Sequence, residues 1–196
     1  MPTISNTLQI KPEKMDFRAY SISWNLTKRC NLNCDHCYLD ANFRGGFRTD
    51  ELDTNQCKRV IDQIAEVNPN AFLILTGGEP LLHQLDPLTT ALKAAGFQTH
   101  IETSGSSPMS GSWDWVCLSP KKFKAPLEQV IKSANELKIV VFNKSDFEWA
   151  EFYASQVPSH CKLYLQPEWD KSALVTPMII EYIKANPKWE LSLQLH

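Results

Sequence analysis

No stretch of 18 apolar residues occurs anywhere in the sequence, so nothing in it reads as a membrane-spanning helix. The first 20 residues also lack the apolar core of a secretory leader. They are polar and carry Lys11, Glu13, Lys14, Asp16 and Arg18. Charge is nearly balanced, at a formal net of −2, which removes the basic footprint of a nucleic-acid binder. Cysteine is too sparse for a disulfide scaffold, at six in 196 residues. Internal repeats and linker-like segments are missing as well. These absences leave a cytoplasmic protein with no membrane or nucleic-acid partner, read as one domain over residues 1–196.

What is present alternates. Seven segments read as strands: Tyr20–Leu26, Ala71–Leu75, Gln98–Glu102, Trp113–Leu118, Leu137–Phe142, Lys162–Leu165 and Trp189–Leu195. Between them lie helical patterns. Cys57, Val60, Ile61, Ile64 and Val67 recur at helical spacing behind an Asp53/Gln56 capping box. Asp86-Pro87 caps a second helix, closed by Gly96. A third runs from Pro126 to about Asn135, Ser145 and Glu148 form a second capping box, and Thr176-Pro177 begins the last helix. Repeated βα units imply a parallel sheet with right-handed crossovers. A full eight-unit barrel takes about 250 residues. The expected fold is therefore α/β, an incomplete parallel βα barrel of about six units.

Cys30, Cys34 and Cys37 follow the first strand at C-x3-C-x2-C spacing. Three thiolates on one loop fill three corners of a four-iron cluster and leave one iron open to another ligand. A zinc site completed by His36 is the alternative. Thr76-Gly-Gly-Glu-Pro80 follows the second strand and Glu102-Thr-Ser-Gly105 the third. Leu118-Ser-Pro-Lys121 and Leu165-Gln-Pro167 end two later strands. Each patch has a plain reading as turn chemistry. Yet all fall at C-terminal strand ends, where parallel βα folds place their chemistry. Cys57, Cys117 and Cys161 read as core thiols. Trp169 and Trp189, near strand ends, are the two tryptophans not assigned to packing.

The cysteine spacing followed by Gly77-Gly-Glu-Pro80 resembles the radical S-adenosylmethionine superfamily. The resemblance implies a [4Fe-4S] cluster held by Cys30, Cys34 and Cys37. It also implies S-adenosylmethionine on the open iron, cleaved to a 5′-deoxyadenosyl radical. Contacts to that cofactor fall on His36, Gly77, Gly78, Glu79, Ser104, Ser119 and Lys121. In this reading the two glycines admit the methionine end, and Glu79 meets its amino group.

From about Leu81 onward the chain resembles the 7-carboxy-7-deazaguanine synthases. The likeness rests on His100-Ile-Glu-Thr-Ser-Gly105, Trp113-Asp-Trp-Val-Cys-Leu-Ser-Pro-Lys-Lys122, Leu163-Tyr-Leu-Gln-Pro-Glu-Trp169 and Asn186-Pro-Lys-Trp-Glu-Leu-Ser-Leu-Gln194. It implies a lyase of queuosine biosynthesis that converts 6-carboxytetrahydropterin to 7-carboxy-7-deazaguanine and ammonia. Thr103, Gln166, Gln194 and His196 would face the substrate. A flavodoxin- or ferredoxin-type reductant, magnesium and a homodimer are implied too. Tyr20 to Pro80 instead resembles radical enzymes of alternative haem and haem d1 synthesis, through Ile22-Ser-Trp-Asn-Leu-Thr-Lys-Arg-Cys-Asn-Leu-Asn-Cys34 and His36-Cys-Tyr-Leu-Asp-Ala41. The expectation is a fusion with its crossover near Gly77–Pro80, acting on a pterin, a tetrapyrrole or a peptide, or on no native substrate. Three features of the deazaguanine synthases are missing: the Gln-Gly-Glu-Gly opening, a hydroxyl residue after Cys37 to bind magnesium, and a tail beyond His196.

Overall fold

The computed structural model describes residues 21–32, 34, 37, 39 and 51–193. The order is β1 (Ser21–Thr27), α1 (Thr54–Val67), β2 (Phe72–Gly77), α2 (Asp86–Ala94), β3 (Thr99–Thr103) and β4 (Trp115–Leu118). Then come α3 (Glu128–Ser133), β5 (Glu136–Val141), α4 (Asp146–Ala154), β6 (Lys162–Pro167), α5 (Ser172–Ala185) and β7 (Trp189–Leu191). The seven strands form one sheet in chain order, and every neighbouring pair is parallel. Each connection steps one strand in the same direction, as in a winding barrel. β1 and β7 are not paired with each other, so the barrel is open.

The two faces of the sheet differ because strand side chains alternate. Leu73, Leu75, Ile101, Leu118, Leu137, Ile139 and Leu165 point to the helices. There they pack on Ile61, Leu92, Val130, Val175 and Ile179 in one core. The other parity lines the barrel interior with His100, Glu102, Trp115, Cys117, Glu136, Lys138 and Tyr164. Five of these groups pair with one another. Glu136 accepts from Trp115 Nε1 at 3.1 Å and from the Cys117 thiol at 3.3 Å, and Lys138 pairs with Glu102 at 2.5 Å. Cys57 and Cys161 are core thiols as expected. Cys117 is buried on the interior face instead, where burial pushes its pKa well above the ordinary thiol value.

Local chemistry sets the element ends. The Asp53/Gln56 capping box is present, and Gly96 follows α2 at φ 88°. Three expectations are corrected. Asp86 lies inside α2 rather than capping it, and Leu85 takes the cap position. Ser145 makes no side-chain cap on α4. The fully buried Asp146 instead ties the start of α4 back to the end of β5, accepting from the Phe142 and Asn143 amides at 2.6 and 2.9 Å and from Lys122. Helix α5 starts at Ser172, four residues before Thr176, with Pro177 inside it. Pro177 forgoes one ladder hydrogen bond, while the earlier start buries Val175 completely. Trp189 is a core residue whose Nε1 donates to Glu151 at 2.8 Å, whereas Trp169 is 55% exposed.

Asp146 gives a prediction about acid. Burial would raise its pKa, but the Lys122 ammonium and the two backbone amides hold it below the ordinary carboxylate value. The unfolded chain therefore takes up this proton first. Its contribution is fully present above the unfolded pKa near 4 and fades as pH falls through the lower folded value. Asp146→Asn should lower Tm at pH 6 and flatten its decline between pH 6 and pH 3. Parallel Tm curves for the two proteins would contradict this.

Candidate active site

Loops at the C-terminal ends of the strands surround a cavity of about 400 Å³. The cysteine loop leaves β1 there. Cys30 and Leu32 are buried and pack with Cys34, Cys37 and Leu39, and the Cys37 amide donates to Cys34 O at 3.2 Å. Burial pushes the Cys30 thiol up, with the Leu32 amide working against it and the neighbouring Cys34, Glu79 and Cys37 adding to it. All three thiols line the cavity, and no fourth thiol or imidazole does so among the described residues. That donor set fits a four-iron cluster whose free corner faces the cavity.

The turn after β2 lies directly against this loop. Gly78 N donates to Thr27 O at 2.7 Å and Glu79 N to Arg29 O at 2.8 Å. A Cβ on Gly77 would sit 2.5 Å from Thr27 O, and one on Gly78 would sit 2.2 Å from Arg29 O. The glycines are thus required by the protein's own backbone. Both also line the cavity, where the cofactor contact was expected.

Glu79 does not line the cavity; it lies beneath, 1% exposed. Its carboxylate accepts from the Thr103 hydroxyl at 2.5 Å, the Leu81 amide at 3.2 Å, the Ser104 amide at 2.9 Å and the Ser104 hydroxyl. It ties the turn after β2 to the turn after β3. Thr103 and Ser104 line the cavity while bonded to Glu79. Ser119 follows β4; its amide donates to Thr103 O at 2.8 Å and its hydroxyl accepts from Lys121 Nζ at 3.0 Å. Gln166 completes the expected set on β6.

Cys30, Cys34, Cys37, Gly77, Gly78, Thr103, Ser104, Ser119, Lys121 and Gln166 therefore share one cavity. His36, Gln194 and His196 lie outside the described residues. Glu102, from the patch noted after the third strand, lines the cavity as well, and sequence reasoning missed Lys138, Glu168 and Asp170. Burial alone would lower the Lys138 pKa, but the adjoining Glu102 carboxylate outweighs it and raises the value, so this lysine stays cationic in the wall. The available signal was parity: Lys138 and Gln166 stand two residues beyond interior positions on their strands.

An open parallel barrel with three thiols facing a cavity at its C-terminal mouth defines the class, and residues 24–137 match the Radical SAM superfamily. The 7-carboxy-7-deazaguanine synthase of Flavobacterium psychrophilum is 40% identical over 171 residues, covering 85% of this chain and 77% of that protein. The Synechocystis enzyme of the same name is 37% identical over 167 residues, with the same coverage. The crystal structure of QueE from Escherichia coli superposes with a TM-score of 0.74 at 28% identity, covering 90% of this chain and 86% of that one. The chain belongs to the 7-carboxy-7-deazaguanine synthase family of radical SAM proteins.

The division expected near Gly77–Pro80 finds no counterpart. Residues 81–196 make up about three fifths of the chain, so a match over 85% of it runs on through much of the N-terminal half. β1 and β2 pair in register from Ser21 opposite Phe72 to Asn25 opposite Thr76, with one irregularity before Thr27 opposite Gly77. A haem-type N-terminal half is not needed to account for the cysteine loop.

Proposed function

We propose that this chain, acting as one radical SAM domain, converts 6-carboxy-5,6,7,8-tetrahydropterin to 7-carboxy-7-deazaguanine with loss of ammonia. One observation carries the reading: Cys30, Cys34 and Cys37 line the same cavity as Lys138, Gln166 and Glu168. Cys30, Cys34 and Cys37 would hold a four-iron cluster, which together with S-adenosylmethionine would supply the radical chemistry for hydrogen-atom abstraction from the substrate. The chain's residues bind and orient. Gly77 and Gly78 present backbone to the cofactor, with Ser104, Ser119 and Lys121 beside it. Thr103 and Gln166 face the pterin. The Lys138 ammonium, kept charged by Glu102, offers a fixed positive partner for the substrate carboxylate. His36, Gln194 and His196 complete the two ligand sets in this reading, and magnesium belongs to it as the family's cofactor.

The reading also takes a small flavodoxin- or ferredoxin-type protein as electron donor, a homodimer, and a reducing cytoplasm. In support of the last, all six cysteines are free thiols. Among the described residues no helix is long and apolar enough to cross a membrane. The test is an anaerobic assay of the reconstituted protein with the pterin, following product by mass and ammonia by a coupled enzyme. One ammonia per 7-carboxy-7-deazaguanine is expected. Deoxyadenosine without any deazaguanine product would refute the substrate assignment.

A further inference from the structure

Asn31 stands inside the cysteine loop, between Cys30 and Leu32, and its side chain contacts the connection after β3. Its amide oxygen lies 3.3 Å from the Ser106 hydroxyl, and its amide nitrogen 3.3 Å from that of Ser107. Ser106 and Ser107 are each 6% exposed, in the connection after β3. The Ser106 oxygen is 2.9 Å from Ser104 Oγ, which contacts the Glu79 carboxylate. An unbroken line of polar contacts thus runs from the cysteine loop to the buried carboxylate under the cavity.

Counting protons gives the line a direction. A carboxylate accepts only, so the single Ser104 hydroxyl proton goes to Glu79. The contact between Ser104 and Ser106 then needs the Ser106 proton, which leaves Ser106 to accept from Asn31. Turning the Asn31 amide by half a turn, which exchanges two atoms of nearly equal size, supplies that donor. The Ser107 hydroxyl then donates to the amide oxygen. Every contact now has one proton, and all of them point toward Glu79. Chains of this kind strengthen each of their members.

We propose that Asn31 is a positioning residue for the cluster loop, anchored through Ser106 and Ser104 on Glu79. The anchor fixes the distance between the three thiols and the Gly77–Glu79 turn, and hence between the open iron and the backbone that cradles S-adenosylmethionine. The inference rests on the cluster and cofactor reading and is independent of the pterin.

The test uses reconstituted full-length protein with Asn31→Ala, Ser106→Ala and the double variant. Bound iron is measured, and the electron paramagnetic resonance signal of the reduced cluster is titrated with S-adenosylmethionine. The unaltered protein serves first: if it shows no four-iron signal, the cofactor reading itself fails. Given that signal, both single variants should bind full iron but need about fivefold more S-adenosylmethionine to shift it, the effect of one lost hydrogen bond. The double variant should be no worse than either single one, because the line is already broken. Unchanged titrations, additive losses or loss of iron in the single variants would each overturn the proposal.

Discussion

Replacing Gly78 by alanine destabilises the protein by about 3 kcal/mol and removes its ability to hold a cluster. The added Cβ would sit 2.2 Å from Arg29 O and 2.8 Å from Arg29 C. Both are backbone atoms, so no side-chain rotation relieves the clash. Relief requires moving the first turn of the cysteine loop, which also breaks the bonds from Gly78 N to Thr27 O and from Glu79 N to Arg29 O. For a domain of this length the loss corresponds to a Tm fall of roughly 6–12 °C. Gly96 is the control. It has φ 88° but nothing within 4 Å of a Cβ, so its alanine variant loses only about 1 kcal/mol. Thermal melts of both variants, with iron analysis, check the pair. A Gly78→Ala protein that melts like Gly96→Ala and binds full iron would show that the close approach is not real.

Glu79→Gln should be nearly as damaging, although it keeps the size and shape of the side chain. Four donors converge on this carboxylate: the hydroxyls of Thr103 and Ser104 and the amides of Leu81 and Ser104. A carboxylate accepts all four, whereas a glutamine amide turns an NH2 group toward two of them. The mismatch is buried, so water cannot repair it, and it costs about 2–3 kcal/mol. Three cavity-lining elements depend on these bonds: the turn after β2, Thr103 and Ser104. S-adenosylmethionine affinity should fall roughly a hundredfold. Equilibrium binding to the reconstituted variant measures this. A drop of less than threefold would mean that Glu79 does not organise the site.

Much of this was legible in the sequence, for identifiable reasons. The seven strands announced themselves because each is a short apolar run between turn signals, and the chemistry lay at their C-terminal ends because parallel connections put it there. The residues that escaped notice are those whose role depends on a partner far away in the chain. Asn31 looks like an ordinary loop residue until Ser106 arrives 75 positions later. The part Glu79 plays in joining two turns was hidden because its donors, Thr103 and Ser104, lie more than twenty positions away. Lys138 carries no local signal of its place, because only the curl of the barrel turns its parity inward and sets Glu102 beside it. Ser145 makes no cap, and the buried carboxylate beside it, Asp146, turns back to satisfy two upstream amides and Lys122 together. The apparent split between two families was read over Tyr20 to Pro80, and the match to the deazaguanine synthases runs through much of that stretch.

The most direct measurement is anaerobic. The protein is reconstituted with iron and sulfide, reduced, and given S-adenosylmethionine, and 5′-deoxyadenosine is quantified with and without 6-carboxytetrahydropterin. The account predicts strong stimulation by the pterin, with Cys34→Ala abolishing cleavage in both cases. Equal, slow cleavage with and without the pterin, or faster cleavage with a porphyrin than with the pterin, would contradict it.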